Sequence, residues 1–158
     1  MAKILLLLLA AFVASASAGH FASDSFLLQG SVYCDTCRCG YETSASKYLA
    51  NAVVRLECRA RANSELTYTK EAVTDSAGKY KMLVESDRAD DFCDTVLVSS
   101  PDPECSSPDA GRDRARVILT NNNGMNSRTR YANALGFVKR TPLASCTQIL
   151  QQYQESEE

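Results

Sequence analysis

Apolar and polar side chains alternate along most of the chain, and this period of two is typical of half-buried β-strands. The alternation is clearest in residues 51–59, where Val54, Leu56 and Cys58 fall on one face and charged side chains fall on the other. Tyr80, Met82 and Val84 are predicted to point inward in the same way, as are Ala115, Val117 and Leu119. The pattern predicts about seven strands, at 26–33, 51–59, 66–74, 79–84, 93–99, 114–120 and 136–140.

Turn-forming residues separate these segments. Residues 75–78 (Asp-Ser-Ala-Gly) predict a hairpin between the strands on either side, since glycine can supply a positive φ. A long loop at 100–112 carries three of the four prolines, 121–124 (Asn-Asn-Asn-Gly) is a second turn signal, and 125–135 has no clear period. Short strands separated by turns indicate an all-β fold, an antiparallel sandwich or barrel.

The end of the chain changes its period from two to that of a helix. Thr141 suits a helix cap and Pro142 the first helical position. The apolar residues that follow lie on one helical stripe: Leu143, Cys146, Ile149, Leu150 and Tyr153. We therefore expect a short C-terminal helix, followed by an acidic tail at 155–158.

Residues 1–18 have the form of a secretory signal peptide, with Lys3, a ten-residue apolar run and small residues before the expected cleavage site. The run is too short to span a membrane, and no later stretch is long enough. Cleavage leaves residues 19–158, a length that suits one domain. It removes Lys3, which leaves 16 Lys and Arg against 19 Asp and Glu, a net charge of −3. This acidic balance disfavours a nucleic-acid-binding role. The signal peptide predicts a secreted, extracellular protein.

Seven cysteines lie beyond the leader, three of them close together as Cys34, Cys37 and Cys39. Three thiolates at this spacing suggest zinc binding or thiol exchange, but the segment lacks a fourth ligand, a nearby histidine and a helix start. Secretion favours a disulfide framework, whose pairing the spacing alone leaves open. The odd number leaves one thiol over, and Cys39 is the candidate.

The sequence offers few catalytic groups. Its one histidine, His20, lies two residues beyond the expected cleavage site, where a frayed terminus cannot hold a general base. Acidic side chains crowd 85–94 without calcium-loop spacing. A hydrolase built on a carboxylate pair remains an alternative, but we assign no catalytic residue, metal site or cofactor.

Arginines form the most suggestive binding pattern. Arg112, Arg114 and Arg116 are two residues apart, so a strand would place all three on one face, and Arg128 and Arg130 are further candidates for the same strip. Such a strip suits acidic cell-wall polysaccharides. The plainer interpretation is the solvated face of an ordinary sheet.

Several segments together resemble the Pollen Ole e I allergen and extensin family, the olive-type pollen allergens. The segment 29–38, Gln-Gly-Ser-Val-Tyr-Cys-Asp-Thr-Cys-Arg, resembles the family signature, and further matching segments follow in order at 52–59, 71–80, 98–105 and 131–137. The resemblance covers nearly the whole chain beyond the leader. It implies three disulfides, which join Cys34 to Cys105, Cys37 to Cys146 and Cys58 to Cys93.

The same resemblance implies a compact β-barrel or sandwich, secretion from plant tissue and, in many members, allergenicity through IgE. It further implies a role in pollen hydration and tube growth, with a cell-surface receptor kinase or a wall component as partner. No catalytic residues are established for the family. The sequence therefore predicts a disulfide-linked, non-enzymatic recognition protein, with binding of acidic wall polysaccharide as the alternative function.

Overall fold

The computed structural model describes residues 25–155, which form two β-sheets and one helix. The predicted leader, the segment 19–24 and the last three residues lie outside the described part. The elements are β1 (Phe26–Asp35), β2 (Lys47–Tyr48), β3 (Val53–Ala60), β4 (Leu66–Val73), β5 (Lys79–Val84), β6 (Asp91–Ser99), β7 (Ser107–Pro108), β8 (Arg114–Val117), β9 (Thr129–Tyr131), β10 (Leu135–Val138) and α1 (Cys146–Glu155).

The prediction of an all-β fold is confirmed. One sheet has the order β4-β3-β6-β8, and the other runs β2-β1-β10-β7, with β5 and β9 also paired to β1. The sheets are not closed into a barrel, so the fold is a sandwich. None of the described helices is long and apolar enough to cross a membrane.

β1 is the longest strand and organises the first sheet. It pairs antiparallel with β5 and β2, and parallel with β9 and β10. Tyr33, for example, lies opposite Gly136 of β10. The two parallel pairings correct the expectation of a wholly antiparallel fold. β9 and β10 reach β1 only after a long excursion through the other sheet, and such a connection can deliver a strand in either direction.

The second sheet follows the predicted alternation closely. Val54, Leu56 and Cys58 of β3 are fully buried, while the intervening Arg55 and Glu57 face outward and remain partly exposed. The inward positions predicted on β5 and β8 are also buried: Tyr80, Met82, Val84, Ala115 and Val117, together with Leu119 just beyond β8. These side chains form the core between the two sheets.

The predicted hairpin at 75–78 is wrong, although the turn itself exists. The backbone N–H of Gly78 donates to the carbonyl of Asp75, yet β4 pairs with β3 and β5 pairs with β1. The chain therefore passes from one sheet to the other at this turn. Gly78 has φ +69° and lies so close to β1 that a Cβ would stand 2.9 Å from the Val32 carbonyl oxygen. Any larger residue would push the turn away from β1 and β2 of the first sheet.

Three disulfides link the elements. They join Cys34 to Cys105, Cys37 to Cys146 and Cys58 to Cys93, which is the pairing that the resemblance implies. The Cys58–Cys93 bridge lies within one sheet, between directly opposed residues of β3 and β6. The other two tie the end of β1 and the loop after it to segments 71 and 109 residues away along the chain.

The C-terminal helix is present but begins at Cys146, four residues later than Pro142, the predicted first helical position. The N–H of Leu143 donates to the Thr36 carbonyl at 3.1 Å, which holds the preceding segment against the loop after β1. Cys146 then enters the helix already bridged to Cys37. Tertiary attachment, not the local capping signal, sets where this helix starts.

Candidate functional site

The Cys34–Cys39 segment leaves β1 as a tight loop built around a buried carboxylate. Asp35 is fully buried, and its two oxygens accept the backbone N–H groups of Cys37, at 3.1 Å, and of Gly40, at 2.7 Å. With both oxygens engaged, this carboxylate holds the loop in shape and is poorly placed to attack a substrate.

Cys39 is the cysteine that forms no disulfide. Its thiol donates a hydrogen bond to the carbonyl oxygen of Tyr41, with Sγ 3.4 Å from that oxygen. Burial, with a further contribution from the nearby Asp35 carboxylate, raises the pKa of the Cys39 thiol. A raised pKa keeps the group protonated, whereas metal binding and disulfide exchange need a thiolate. Among residues 25–155, no cluster of three or more His, Cys, Asp or Glu is arranged to hold a metal ion.

Arg112 does not lie on a strip with Arg114 and Arg116. β8 begins only at Arg114, so the alternation that would align the three arginines does not extend back to Arg112. The Nε of Arg112 instead donates to the Gly40 carbonyl at 2.9 Å. This hydrogen bond fastens the proline-containing loop at 100–112 to the loop after β1.

A small polar cluster surrounds this fastening point. Burial raises the pKa of the Tyr33 hydroxyl to about 12, although the Arg112 guanidinium acts in the opposite sense. Burial and the Asp35 carboxylate together raise the pKa of Asp109. The backbone N–H of Asp109 donates to the Gly136 carbonyl at 2.9 Å, so the loop is bound to β10 as well.

Arg114 and Arg116 project from the outer face of β8, and more than half of each side chain is exposed. Both contact the carboxylate of Asp94 on the adjacent strand β6. The Nε of Arg116 lies 2.6 Å from Asp94 Oδ1, and Nη1 of Arg114 lies 3.7 Å from Asp94 Oδ2. The arginine strip therefore contains Arg114 and Arg116 without Arg112, and the carboxylate of Asp94 partly neutralises their charge.

Arg130 does not extend the strip either, because it is only 4% exposed. Its guanidinium donates to backbone carbonyls on both sides of the Asn-rich turn, including those of Ile118 at 3.1 Å, Thr120 at 3.0 Å and Ser127. Its Cζ also lies 4.9 Å from the centre of the Phe26 ring. Arg130 is thus an internal clamp that holds the turn against the sandwich.

A cavity of about 180 Å³ opens at one end of the outer face of the second sheet, and we call it the Phe92 cavity. Its lining includes Arg61, Arg88, Phe92, Arg116 and Ile118. This cavity was not predicted from the sequence, although the sequence contains a signal for it. Phe92 and Ile118 occupy outward positions, where the alternation predicts polar side chains, and large apolar residues there often mark binding surfaces.

A second cavity, of about 310 Å³, lies beside the edge strand β7 and is lined by polar side chains that include Arg38 and Arg140. Nη1 of Arg38 donates to the carbonyls of Lys139 and Arg140, and Arg140 itself pairs with Glu104 at 3.3 Å. The two guanidinium groups that line this cavity are therefore already engaged by other groups of the protein.

Known proteins resemble this chain in both sequence and fold. A family model described as "Pollen protein Ole e 1 like" matches residues 24–154. A pollen-specific-protein-like protein of Arabidopsis thaliana is 51% identical over 138 residues, which cover 85% of this chain and 79% of that protein. Pollen allergen Phl p 11 of Phleum pratense is 43% identical over 129 residues, covering 81% and 90%.

A solved structure shows the same fold. The major plantain pollen allergen Pla l 1 superposes with a TM-score of 0.70 at 28% identity, over 77% of this chain and 99% of the allergen. The sandwich, its disulfides and the match over most of the chain lead to one assignment: the chain belongs to the Ole e 1-like pollen protein family.

Proposed function

We propose that this chain is a secreted, non-enzymatic plant protein that acts by surface recognition in the extracellular space, in pollen hydration or tube growth. The signal-peptide pattern of residues 1–18 supports secretion, and disulfides are typical of oxidising compartments. The mature protein is a single domain of residues 19–158. Its partner is a cell-surface receptor kinase or a cell-wall component.

The observation that carries this proposal is the way long loops are fixed to the sandwich. The loop at 100–112 is held by the Cys34–Cys105 bridge and by the Arg112 hydrogen bond to Gly40. The Asn-rich turn is held by the Arg130 clamp. Loops in fixed shapes on a rigid scaffold commonly form binding surfaces.

Binding of IgE is part of the same proposal. Phl p 11, and relatives from Crocus sativus and Chenopodium album that are each 44% identical, are named as pollen allergens. A stable, disulfide-linked surface at this level of identity would present similar epitopes. Inhibition of IgE binding to a relative by this protein would test the point.

A second candidate function is binding of acidic wall polysaccharide, and the exposure of Arg114 and Arg116 favours it. Their shared contact with Asp94 reduces the charge that they offer to a ligand. The hydrolase alternative has less support, because the buried carboxylate of Asp35 is committed to backbone N–H groups.

The test uses full-length protein expressed in plant cells. We expect it in the apoplastic fluid with Gly19 at its N-terminus, inactive on glycosidase and esterase substrates, and bound saturably to pollen tubes. Reduction and alkylation should abolish the binding. Retention inside the cell, turnover of a substrate, or binding that survives reduction unchanged would contradict the proposal.

A further inference from the structure

The Phe92 cavity combines an exposed aromatic surface with a ring of guanidinium groups. Phe92 is 43% exposed and Ile118 is 59% exposed, both on the outer face of the second sheet. The guanidinium carbon of Arg61 lies 4.2 Å from the centre of the Phe92 ring, and that of Arg116 lies 4.8 Å away. Apolar and cationic groups thus meet in one concave site.

The charge around this cavity is opposite to that of the whole chain. Arg61, Arg88 and Arg116 line it against a single carboxylate, Asp91, in a chain whose net charge is −2. Asp94, just outside the lining, neutralises Arg116, and Asp91 lies 3.7 Å from Arg88. A local excess of guanidinium groups attracts an anion.

Arg61 is the guanidinium that remains available. Within the described residues it makes no ion pair, and its side chain donates only through Nε, to the Ala89 carbonyl at 3.1 Å. The Phe92 ring and this hydrogen bond hold the guanidinium in place, so little side-chain entropy is lost when a ligand binds. Its two terminal nitrogens form a planar fork that suits a carboxylate.

We propose that the Phe92 cavity binds one uronate ring of an acidic polysaccharide, with the ring's carboxylate on Arg61 and its C–H face against Phe92 and Ile118. Such a ring carries an anionic group and an apolar face within one compact unit, and the cavity offers both complements together. The acidic residue of a peptide supplies a carboxylate on a flexible stem, but it has no apolar ring face within the same unit to pack against Phe92. Arg114, farther along β8, is placed to meet a following unit of the polymer.

This inference rests on the proposed function only in taking the protein to act by extracellular recognition. The proposed sugar site differs from the predicted arginine strip, because its binding residues are Arg61, Phe92 and Ile118 and do not include Arg112. Arg59 supplies a matched control. It lies on the same outer face with its side chain 49% exposed, but it pairs with Glu57 and does not line the cavity.

The experiment is isothermal titration of the oxidised full chain with trigalacturonate, its methyl ester and polyglutamate, at low and at physiological salt. We expect the wild type to bind trigalacturonate and to bind the ester at least tenfold more weakly. Arg61→Gln should weaken binding of trigalacturonate by about tenfold or more, the effect of losing one charge-assisted hydrogen bond pair. Arg59→Gln should change the affinity less than twofold, and Phe92→Leu should also weaken it.

No binding by the wild type would overturn the proposal, as would equal losses in Arg61→Gln and Arg59→Gln, which would indicate a general charge effect. Tighter binding of polyglutamate with the same dependence on Arg61 would also overturn it, in favour of an acidic protein partner. If sugar binding fails while saturable binding to pollen tubes persists, this inference fails and the proposed function stands.

Discussion

Arg116 and Asp94 form a two-pronged ion pair across β8 and β6, with Nε 2.6 Å from Oδ1 and Nη2 3.3 Å from Oδ2. Because Arg114 contacts the same carboxylate, one acidic residue restrains both exposed arginines of the strip. The charge that the outer face offers to a ligand therefore depends strongly on Asp94.

Replacing Asp94 should leave the positive charges of Arg114 and Arg116 available to an anionic ligand. We expect Asp94→Asn to increase the salt-sensitive retention of the protein on immobilised pectin, because two guanidinium groups lose their shared partner. The cost in stability should be about 1 kcal/mol or less, as for other exposed ion pairs. Asp113→Asn, which changes net charge equally beside Arg114, is the control. Equal retention of the two variants would contradict the expectation.

The Cys37–Cys146 bridge should contribute strongly to stability, because it closes a loop across 109 residues of the chain. In the chain-entropy model such a bridge is worth at most about 4–5 kcal/mol, because the remaining Cys34–Cys105 bridge already shortens the path between its two ends. We expect the double variant Cys37→Ser/Cys146→Ser to lose stability of this order in urea denaturation while keeping its β-sheet circular dichroism. A loss below about 1 kcal/mol would show that this bridge contributes little to the stability of the fold.

Arg130, whose side chain is buried, should be intolerant of replacement although it does not line the Phe92 cavity. Arg130→Met removes the donor for part-buried carbonyls around the Asn-rich turn, and a fully buried carbonyl left unsatisfied would cost about 1–3 kcal/mol. We expect a fall of about 2–4 kcal/mol in the free energy of unfolding, measured by urea denaturation. Arg140→Met, which removes an exposed guanidinium, should cost less than 1 kcal/mol. Similar effects of the two substitutions would exclude the clamp.

Asp75 should make part of the stability dependent on pH. Hydrogen bonds from the backbone N–H groups of Lys79 and Ala77 lower the pKa of Asp75 in the folded chain. A carboxylate whose folded pKa lies below its unfolded value, about 4, stabilises the fold above that value, and the contribution is lost as pH falls through the folded pKa. Asp75→Asn should therefore be less stable than the wild type at pH 6, and the difference should shrink towards pH 2.5.

The difference between variant and wild type is the quantity to measure, because Asp109 acts in the opposite sense. Its raised pKa means that stability falls as pH rises through that value. Urea midpoints for both proteins at several pH values would separate the two contributions. Parallel curves for wild type and Asp75→Asn would show that the turn carboxylate has no part in the pH dependence.

Local patterns predicted those parts of the fold that depend on neighbouring residues. Val54, Leu56 and Cys58 alternate with charged residues, and the side of the strand that they define is the buried one. The end of the chain became helical where its period changed, although the start depends on the link between Cys37 and Cys146. Such signals arise within one element and need no knowledge of its partner.

Features that depend on partners distant in sequence were not predictable in this way. The turn at 75–78 looks the same whether the next strand pairs with β4 or crosses to β1. The role of Arg112 follows from the position of Gly40, which lies 72 residues earlier. The Phe92 cavity needs Arg61 and Arg116 to meet around one ring, although 55 residues separate them along the chain.

A secreted sandwich that presents fixed surfaces for recognition must carry its disulfides in the native product. Peptide mapping of the native secreted protein, alkylated without reduction, reads these bridges. We expect an N-terminus at Gly19, three linked peptide pairs with the connectivity described above, and alkylation at Cys39 alone. Alkylation at most of the seven cysteines, or a bridge that includes Cys39, would contradict this expectation.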